Sequence, residues 1–566
     1  MAKKEPKIVV IVGGVMSGIG KGAVSASIGK IMQWRGLKVT LTKLDPYIQV
    51  DPGTLNPTEH GEVFVTEEVW NFPTSSKNPL RIAELDQDFG TYERFLDRNT
   101  HPSQNITSGQ IFLTIIDAER EGRFLGQTVQ MIPHVTDEIK RRILAVGNED
   151  TDIIIAEIGG TIGDIEGVVY LEAIRQLRLD RGASNVVFVV VTYVPLLETI
   201  QELKSKPTQH SIRTLLSAGI VPDFVVCRSP INITRRVRKK ISLFGNVPED
   251  SVISNPDLDT VYQLPLIFEE QYFAELLLQK LSLKPKNNKA TLNNNIREWR
   301  NYVDVLTNAK DIVKIAMPGK YAEICDSYIS INDALKHAGI QSNARIEISW
   351  LNTEEFESDP EKLKQLENYD GILVPGGFGS RGVEGKILCA QFCIQKGIPY
   401  LGICYGMQLG LVAYARLLGM EGANTTEVDP TTPYPIIDLL EEQKDVNQKG
   451  GTMRLGGYPA KLVAGTRVRE LYDDAEQIIE RHRHRYEINP KYVERLVEGG
   501  VIVAGWYDHE EKGKLMEFVE LPREKHPFWL GTQAHPEFKS RPNRPSPLYL
   551  GFIQAAIERM KQRKTR

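Results

Sequence analysis

Five strand-length runs rich in Val, Ile and Leu punctuate the first half of the chain, at residues 8–12, 39–44, 153–158, 186–191 and 224–227. Runs that are largely continuous rather than alternating fit strands buried on both faces of a parallel sheet. Stretches between them, such as 23–35 and 171–179, carry helical spacing. Strand and helix in alternation predict an α/β fold with a doubly wound parallel sheet. Residues 283–297, LKPKNNKATLNNNIR, break the rhythm with Asn and Lys and few bulky side chains. The pattern then restarts, with strand-like runs at 312–317, 371–375 and 399–403, each followed by a Gly-rich or polar turn. The expected organisation is an N-terminal domain over 1–283, a linker over 284–300 and a second α/β domain over 301–566. Residues 561–566 read as a solvated basic tail after a helix.

The chain has 566 residues, 41% of them hydrophobic and 25% charged, which excludes a disordered, collagenous or disulfide-scaffold protein. A net charge of −4 gives no global field for holding nucleic acid, and no nucleic-acid partner is expected. Cys227, Cys325, Cys389, Cys393 and Cys404 are odd in number and lack CxxC spacing, which points to a reducing compartment. No stretch approaches 18 apolar residues, so no membrane association is expected. The start MAKKEPKIVVIVGG runs straight into Gly13 and Gly14 without a cleavage-site pattern, as a buried first strand would, and a cytoplasmic protein is expected.

After that first run comes GGVMSGIGKG, residues 13–22, and then a helix-prone segment. Glycines let backbone N–H groups curl around phosphate oxygens, the helix N-terminus adds partial positive charge, and Lys21 neutralises a terminal phosphate. The loop departs from GxxxxGK[ST]: Val15 stands at the first Gly position and Gly22 replaces the Ser/Thr whose hydroxyl touches Mg²⁺. Metal ligands must then come from elsewhere. Asp86, in ELDQDFGTYERF, and Glu157, at the end of IIIAEIGGT, are the candidates, because Mg²⁺ takes one or two carboxylates plus phosphate oxygens and waters.

In the second half, IPYLGICYGMQ, residues 398–408, reads as strand, tight turn and helix, and Gly402-x-Cys404-x-Gly406 has the form of a nucleophile elbow with Cys at its apex. A helix N-terminus raises the thiolate fraction of such a cysteine. The other four cysteines read as structural. QAHPEF, residues 533–538, supplies His535 as base and Glu537 as its orienting acid; His482 and His484, in RHRHRY, are rivals without a similarly placed acid. Backbone N–H groups of 374–379 (VPGGFG), with that of Tyr405, suit an oxyanion hole. The set points to attack on a carbonyl through a thioester.

With these residues in hand, the second half resembles class I glutamine amidotransferases through PGGFG, GICYGMQ and QAHPEF. The whole chain resembles the CTP synthase family, through GGVMSGIGKG, KLDPYIQVDPGT, HGEVFVT, GTYERF, LGQTVQMIPH, EIGGTIGDIE, KSKPTQHS, GGTMRLG and RHRHRYE. The resemblance implies an amidoligase domain that phosphorylates O4 of UTP with ATP and Mg²⁺, and a glutaminase domain that supplies ammonia from L-glutamine along a dry path. It implies ATP binding by Gly18, Ile19, Gly20, Lys21, Gly22, Ala23, Lys43 and Asp86, with Asp86 and Glu157 on the metal. Ser17, Lys204, Ser205, Lys206, Pro207, Thr208, Gln209 and Lys240 are implied for UTP, and Asp164, Ile165 and Glu166 for CTP acting as feedback inhibitor. Cys404, His535 and Glu537 match the triad; Gly377, Tyr405, Gly406, Met407, Gln408, Glu427 and Arg485 match glutamine-binding positions. The family is also similar in being GTP-activated, homotetrameric and filament-forming.

The chain departs from the family pattern at four places. Nineteen residues separate Thr66 from Asp86, with an insertion at 71–79; Gly-Val-Val-Tyr follows Glu166; Ala534 replaces an aromatic residue; and Tyr405 replaces a smaller aliphatic one. Two other readings compete: a glutamine-dependent amidoligase with a different acceptor, and a catalytically silent filament-forming paralogue. KSKPTQHS with Lys240 favours UTP over the first, and the intact Cys404, His535, Glu537, Lys21 and Asp86 disfavour the second.

Overall fold

The computed structural model describes residues 5–14, 16–75, 79–319, 325–439, 453–510 and 513–565. Val15, the Cys325 side chain, residues 76–78 of the insertion, the GGT of GGTMRLG and Arg566 lie outside the described residues. The chain forms two compact units. The first takes the residues up to Pro52, Trp70–Leu80 and Asp88–Val303; the second takes Gly53–Val69, Arg81–Gln87 and everything from Asp304 on. The expected division cuts the chain once, near 284–300, whereas the fold also assigns two short N-terminal segments to the second unit.

The first unit is built on seven parallel strands: β1 (Lys7–Gly13), β2 (Val39–Asp45), β3 (Asn105–Thr107), β4 (Ile153–Ile158), β5 (Val186–Tyr193), β6 (Phe224–Ser229) and β7 (Val252–Pro256), in the order β7-β6-β5-β1-β4-β2-β3. All five runs read from the sequence are strands of this sheet. Ile8, Val9, Val10 and Ile11 are fully buried because helices cover both faces, each side chain contributing about 2 kcal/mol. The chain leaves β1 through Gly18 (φ 73) and Gly20 (φ 86), left-handed conformations that glycine adopts without strain. It enters α1 (Lys21–Trp34), which packs on α2 (Asp88–Leu96). Order reverses around β1, so its loop and the ends of β2 and β4 share the ligand edge of the sheet.

The Asn- and Lys-rich stretch carries a helix, α3 (Lys289–Asn308), from its sixth or seventh residue onward. Leu292, Ile296, Trp299 and Val303 recur at four, three and four residues, one face of a helix that the bulk composition hides. Trp299 is buried edge-on to Trp34, with ring centroids 6.0 Å apart. The insertion lies on a hairpin, Phe64–Phe72 and Leu80–Leu85. In its first-unit portion Phe72 is fully buried under the Arg142 guanidinium, and Ser75 donates through N and Oγ to Asp117, at 2.8 and 2.7 Å.

The second unit holds a nine-stranded sheet: β8 (Ile312–Gly319), β9 (Arg345–Asn352), β10 (Gly371–Val374), β11 (Tyr400–Ile403), β12 (Arg454–Leu462), β13 (Gln477–His484), β14 (Ile502–His509), β15 (Gly513–Glu520) and β16 (Trp529–Thr532). The order is β9-β8-β10-β11-β16-β15-β14-β12-β13; the first five are parallel and the rest antiparallel. Val374 pairs with Gly402 and Ile403 with Thr532. Three loops therefore leave the same sheet edge side by side: 375–379, Cys404, and 533–537.

Candidate functional site

Cys404 sits between β11 and α4 (Tyr405–Leu417) with φ 49 and ψ −104, a strained backbone for a residue with a side chain. Its N–H is tied to Thr532 O at 2.7 Å. Gly402 and Gly406 make the turn possible. A Cβ on Gly402 would lie 2.8 Å from the Gly406 carbonyl carbon, and one on Gly406 would lie 2.0 Å from Val374 O. Gly376 is held to glycine by the reacting groups themselves, since a Cβ there would stand 3.0 Å from His535 Cε1 and 3.7 Å from Cys404 Cβ.

His535 Nδ1 bonds Glu537 Oε1 at 2.7 Å, and Tyr549 OH donates to Glu537 Oε2 at 3.4 Å. Burial opposes a charged imidazole. Glu537 on one side and Cys404, which also hydrogen-bonds the ring, on the other outweigh it and raise His535 from 6.5 to about 10. A folded-state value raised this way contributes stability that is complete below pH 6.5 and lost as pH rises toward 10. Calorimetry of Glu537→Gln should therefore show a flatter fall in Tm between pH 7 and 10 than the unmodified chain. Its rate of glutamine hydrolysis should drop at least about 100-fold, because the imidazole loses its orienting charge.

His482 is fully buried, and His484 lines the same cavity as Cys404 and His535. Their rings meet at 3.1 Å (Nδ1 to Nε2) beside Arg454, which bridges Glu487 and Glu517 at 2.7 Å each. Burial and then the Arg454 charge hold both imidazoles well below their ordinary value. They remain neutral members of a buried ionic cluster.

Around Cys404 and His535 lies a cavity of about 550 Å³, lined among others by Gly377, Tyr405, Gln408, Glu427 and Arg485. Glu427 Oε1 accepts from Gly379 N at 2.7 Å. Gln408 donates to Tyr486 O and to Gln533 Oε1, and Gln533 Nε2 reaches Cys404 Sγ at 3.5 Å. Gln533 opens QAHPEF and Gly376 lies within the 374–379 oxyanion loop, but the contacts that Gln533 makes with Cys404 and Gln408 have no signal in the sequence. Met407 and Gly406, expected at the glutamine site, turn away from the cavity. Met407 is fully buried against Gly531, and Gly406 packs on Val374, as the second and third residues of a helix starting at the cavity wall must.

In the first unit, the Lys21 side chain lies over Gly13, where a Cβ would stand 2.8 Å from Nζ, and Nζ donates to Gly160 O at 2.6 Å. Lys43, on β2, pairs with Asp88 at 2.6 Å and approaches Asp45 at 3.8 Å. Glu157, at the end of β4, accepts from Ser25 Oγ and Tyr92 OH through Oε2, each at 2.6 Å. Its Oε1 is buried with no hydrogen-bond partner among the described residues. Burial, with Asp88 adding repulsion, pushes Glu157 up to about 7 against the pull of Lys43 and Lys21. Desolvation lowers Lys21. A Cβ on Gly22 would stand 2.1 Å from Asp88 Oδ1. The place of the missing hydroxyl is thus taken by a carboxylate.

Two family models divide the chain between them: CTP synthase N-terminus matches residues 7–283 and Glutamine amidotransferase class-I matches residues 323–555. A CTP synthase from Caldanaerobacter subterraneus subsp. tengcongensis is 47% identical over 97% of this chain and 98% of its own; one from Methanopyrus kandleri is 48% identical over 97% and 99%. The chain belongs to the CTP synthase family. It is a ligase with a glutamine amidotransferase domain, acting in the glutamine-dependent amination of UTP to CTP. Among solved structures, the glutaminase domain of a Trypanosoma brucei CTP synthase with bound acivicin is 35% identical, covering 44% of this chain and 94% of that one, with a TM-score of 0.41.

The carboxylate expected from the sequence on ATP and the metal is Asp86. Asp86 falls in the second unit, within Arg81–Gln87. Asp88, in the first turn of α2, is the acid that meets Lys43 and crowds Gly22 in the first unit. The two acids share the motif ELDQDFG, and the sequence offered no spacing rule to choose between them. Ser17, Gly18 and Gly20 are exposed around the loop, Ile19 is buried, and Ala23 is half-buried on α1. In KSKPTQ, Lys206 is exposed and Lys204 pairs with Glu202 at 2.6 Å. Lys204, Arg236 and the exposed Lys240 all pull on that same carboxylate, after the Lys204 hydrogen bond, and hold Glu202 below its ordinary value. Thr208 Oγ1 meets Thr192 Oγ1 and donates to Tyr193 O, and Gln209 donates to Ser205 Oγ, so these three hold the segment's own geometry. Asp164 accepts from Thr161 N and Oγ1, leaving Ile165 and Glu166 exposed. No described helix is long and apolar enough to cross a membrane.

Proposed function

We propose that Cys404, His535 and Glu537 hydrolyse glutamine while the loop 13–22, with Lys43, Asp88 and Glu157, activates UTP with ATP. The observation that carries the reading is the strained Cys404 turn set against an imidazole whose Nδ1 is bonded to Glu537 at 2.7 Å. The thiolate attacks the amide carbon, His535 delivers a proton to the departing ammonia, and N–H groups of Tyr405 and the 376–379 loop receive the oxyanion. Water then cleaves the thioester to glutamate. On the other domain, the γ-phosphoryl group of ATP passes to O4 of UTP, releasing ADP. Ammonia attacks C4 and displaces phosphate, leaving CTP. Lys21 and Lys43 offset the charge of the transferring phosphoryl group.

Mg²⁺ fits this set: two carboxylates, Asp88 and Glu157, with the buried Glu157 Oε1 lacking a donor among the described residues. Among the described residues no three His, Cys, Asp or Glu side chains converge on a metal, as suits an ion held partly by phosphate oxygens. Bound there, it would neutralise phosphate charge. Ser17, the KSKPTQ segment and Lys240 are assigned to UTP on the convergence of Lys204, Lys240 and Arg236; Ile165 and Glu166, exposed beside Asp164, are assigned to CTP as inhibitor. GTP activation, a homotetramer and a cytoplasmic setting complete the reading. Purified protein given UTP, ATP, Mg²⁺ and glutamine should form CTP, detected by chromatography, only when all four are present. Glutamate without CTP would leave the glutaminase standing and overturn UTP as acceptor.

A further inference from the structure

The residue after the nucleophile is tied to the oxyanion loop. Tyr405 is buried, and its OH donates to Gly379 O at 3.1 Å. Gly379 itself has φ 80, and its N–H donates to Glu427 Oε1 at 2.7 Å. One residue at the end of the 376–379 loop is therefore held at both polar groups, by side chains from two different segments. The ring of Tyr405 also supports the loop from the side: a Cβ on Gly377 would lie 3.9 Å from Tyr405 Cδ1, and Lys386 Nζ stands 5.6 Å from the ring centroid. Burial, then Glu427, Tyr486 and Cys404, push the phenol far up, so the group donates across the working pH range.

We propose that Tyr405 is a positioning residue for glutamine hydrolysis: its hydroxyl, with Glu427 on the opposite side, clamps Gly379 and fixes the backbone donors of 376–379 relative to Cys404. The aliphatic residue that the family resemblance expects there fills space but has no hydroxyl to hold the loop. Donors that meet an oxyanion act only in the transition state, so loosening them lowers kcat and spares KM. The inference rests on the glutaminase reading given above.

The test compares the full chain with Tyr405→Phe and Tyr405→Leu, and with Cys404→Ala as reference, for glutamine hydrolysis and for CTP formation from glutamine and from ammonium. Losing one neutral buried hydrogen bond should lower kcat for hydrolysis about 5- to 10-fold in both Tyr405 variants. KM for glutamine should stay within about twofold, and ammonium-driven CTP formation should be unchanged. Unchanged kcat in Tyr405→Phe overturns the proposal. So does a raised KM at full kcat, which assigns the hydroxyl to ground-state binding. Loss of ammonium-driven synthesis in both variants assigns Tyr405 to general packing and overturns it as well. Should the unmodified chain hydrolyse no glutamine, or Cys404→Ala hydrolyse it normally, the glutaminase reading itself fails, an outcome distinct from the others.

Discussion

Cys404→Ala is expected to abolish CTP formation driven by glutamine, by at least about 1,000-fold, because it removes the sulfur that forms the acyl intermediate beside His535. CTP formation driven by added ammonium should continue at the unmodified rate. The substitution removes one sulfur from a residue already held by its N–H to Thr532 O and by the glycines on either side. The Gln533 amide loses its 3.5 Å contact with Sγ but keeps Gln408, so the sheet edge should survive. Measuring both nitrogen sources on one preparation separates chemistry from folding. A variant that lost both activities would show damage beyond the nucleophile, and one that kept glutamine-driven synthesis would place the nucleophile elsewhere.

The nucleophile was legible because several constraints met in a few residues. A turn between strand and helix needs glycines where backbones touch, and Gly402 and Gly406 flank Cys404 at those contacts. The histidine was legible for a similar reason: HPE places an acid two residues beyond the ring, where the fold puts it on Nδ1. Strands were read from aliphatic runs, since a sheet covered on both faces leaves little room for polar residues. What escaped the sequence depends on long-range placement. Nothing in a linear pattern shows that 53–69 and 81–87 join the second unit, or that Gln533 reaches Sγ. The stretch 284–300 was misleading in bulk, because four apolar residues in helical register suffice to anchor a helix among asparagines. Met407 was assigned to glutamine by motif alone, and the helical turn sends its side chain to the core.

The choice between two acids in ELDQDFG yields the second large effect. Asp88→Asn should lower CTP formation about 100-fold or more with either nitrogen source, the scale for removing one fixed charge from a phosphoryl-transfer site. Asp86→Asn should stay within about threefold of the unmodified chain. Its contacts lie within the first unit: Asp88 holds Lys43 at 2.6 Å, stands where a side chain on Gly22 would be, and bears on the ionisation of Glu157. Removing its charge takes away the closest acid on Lys43, which keeps Asp45 at 3.8 Å, and leaves Glu157 as the remaining acid for Mg²⁺. Hydrolysis of glutamine, carried by Cys404 and His535 in the second unit, should persist in Asp88→Asn. The contrast is read by titrating Mg²⁺ at saturating ATP, where Asp88→Asn should need more metal for half-maximal rate and Asp86→Asn should not. A loss confined to Asp86→Asn would return the metal to the first aspartate of the motif and leave Asp88 as the partner that keeps Lys43 in place.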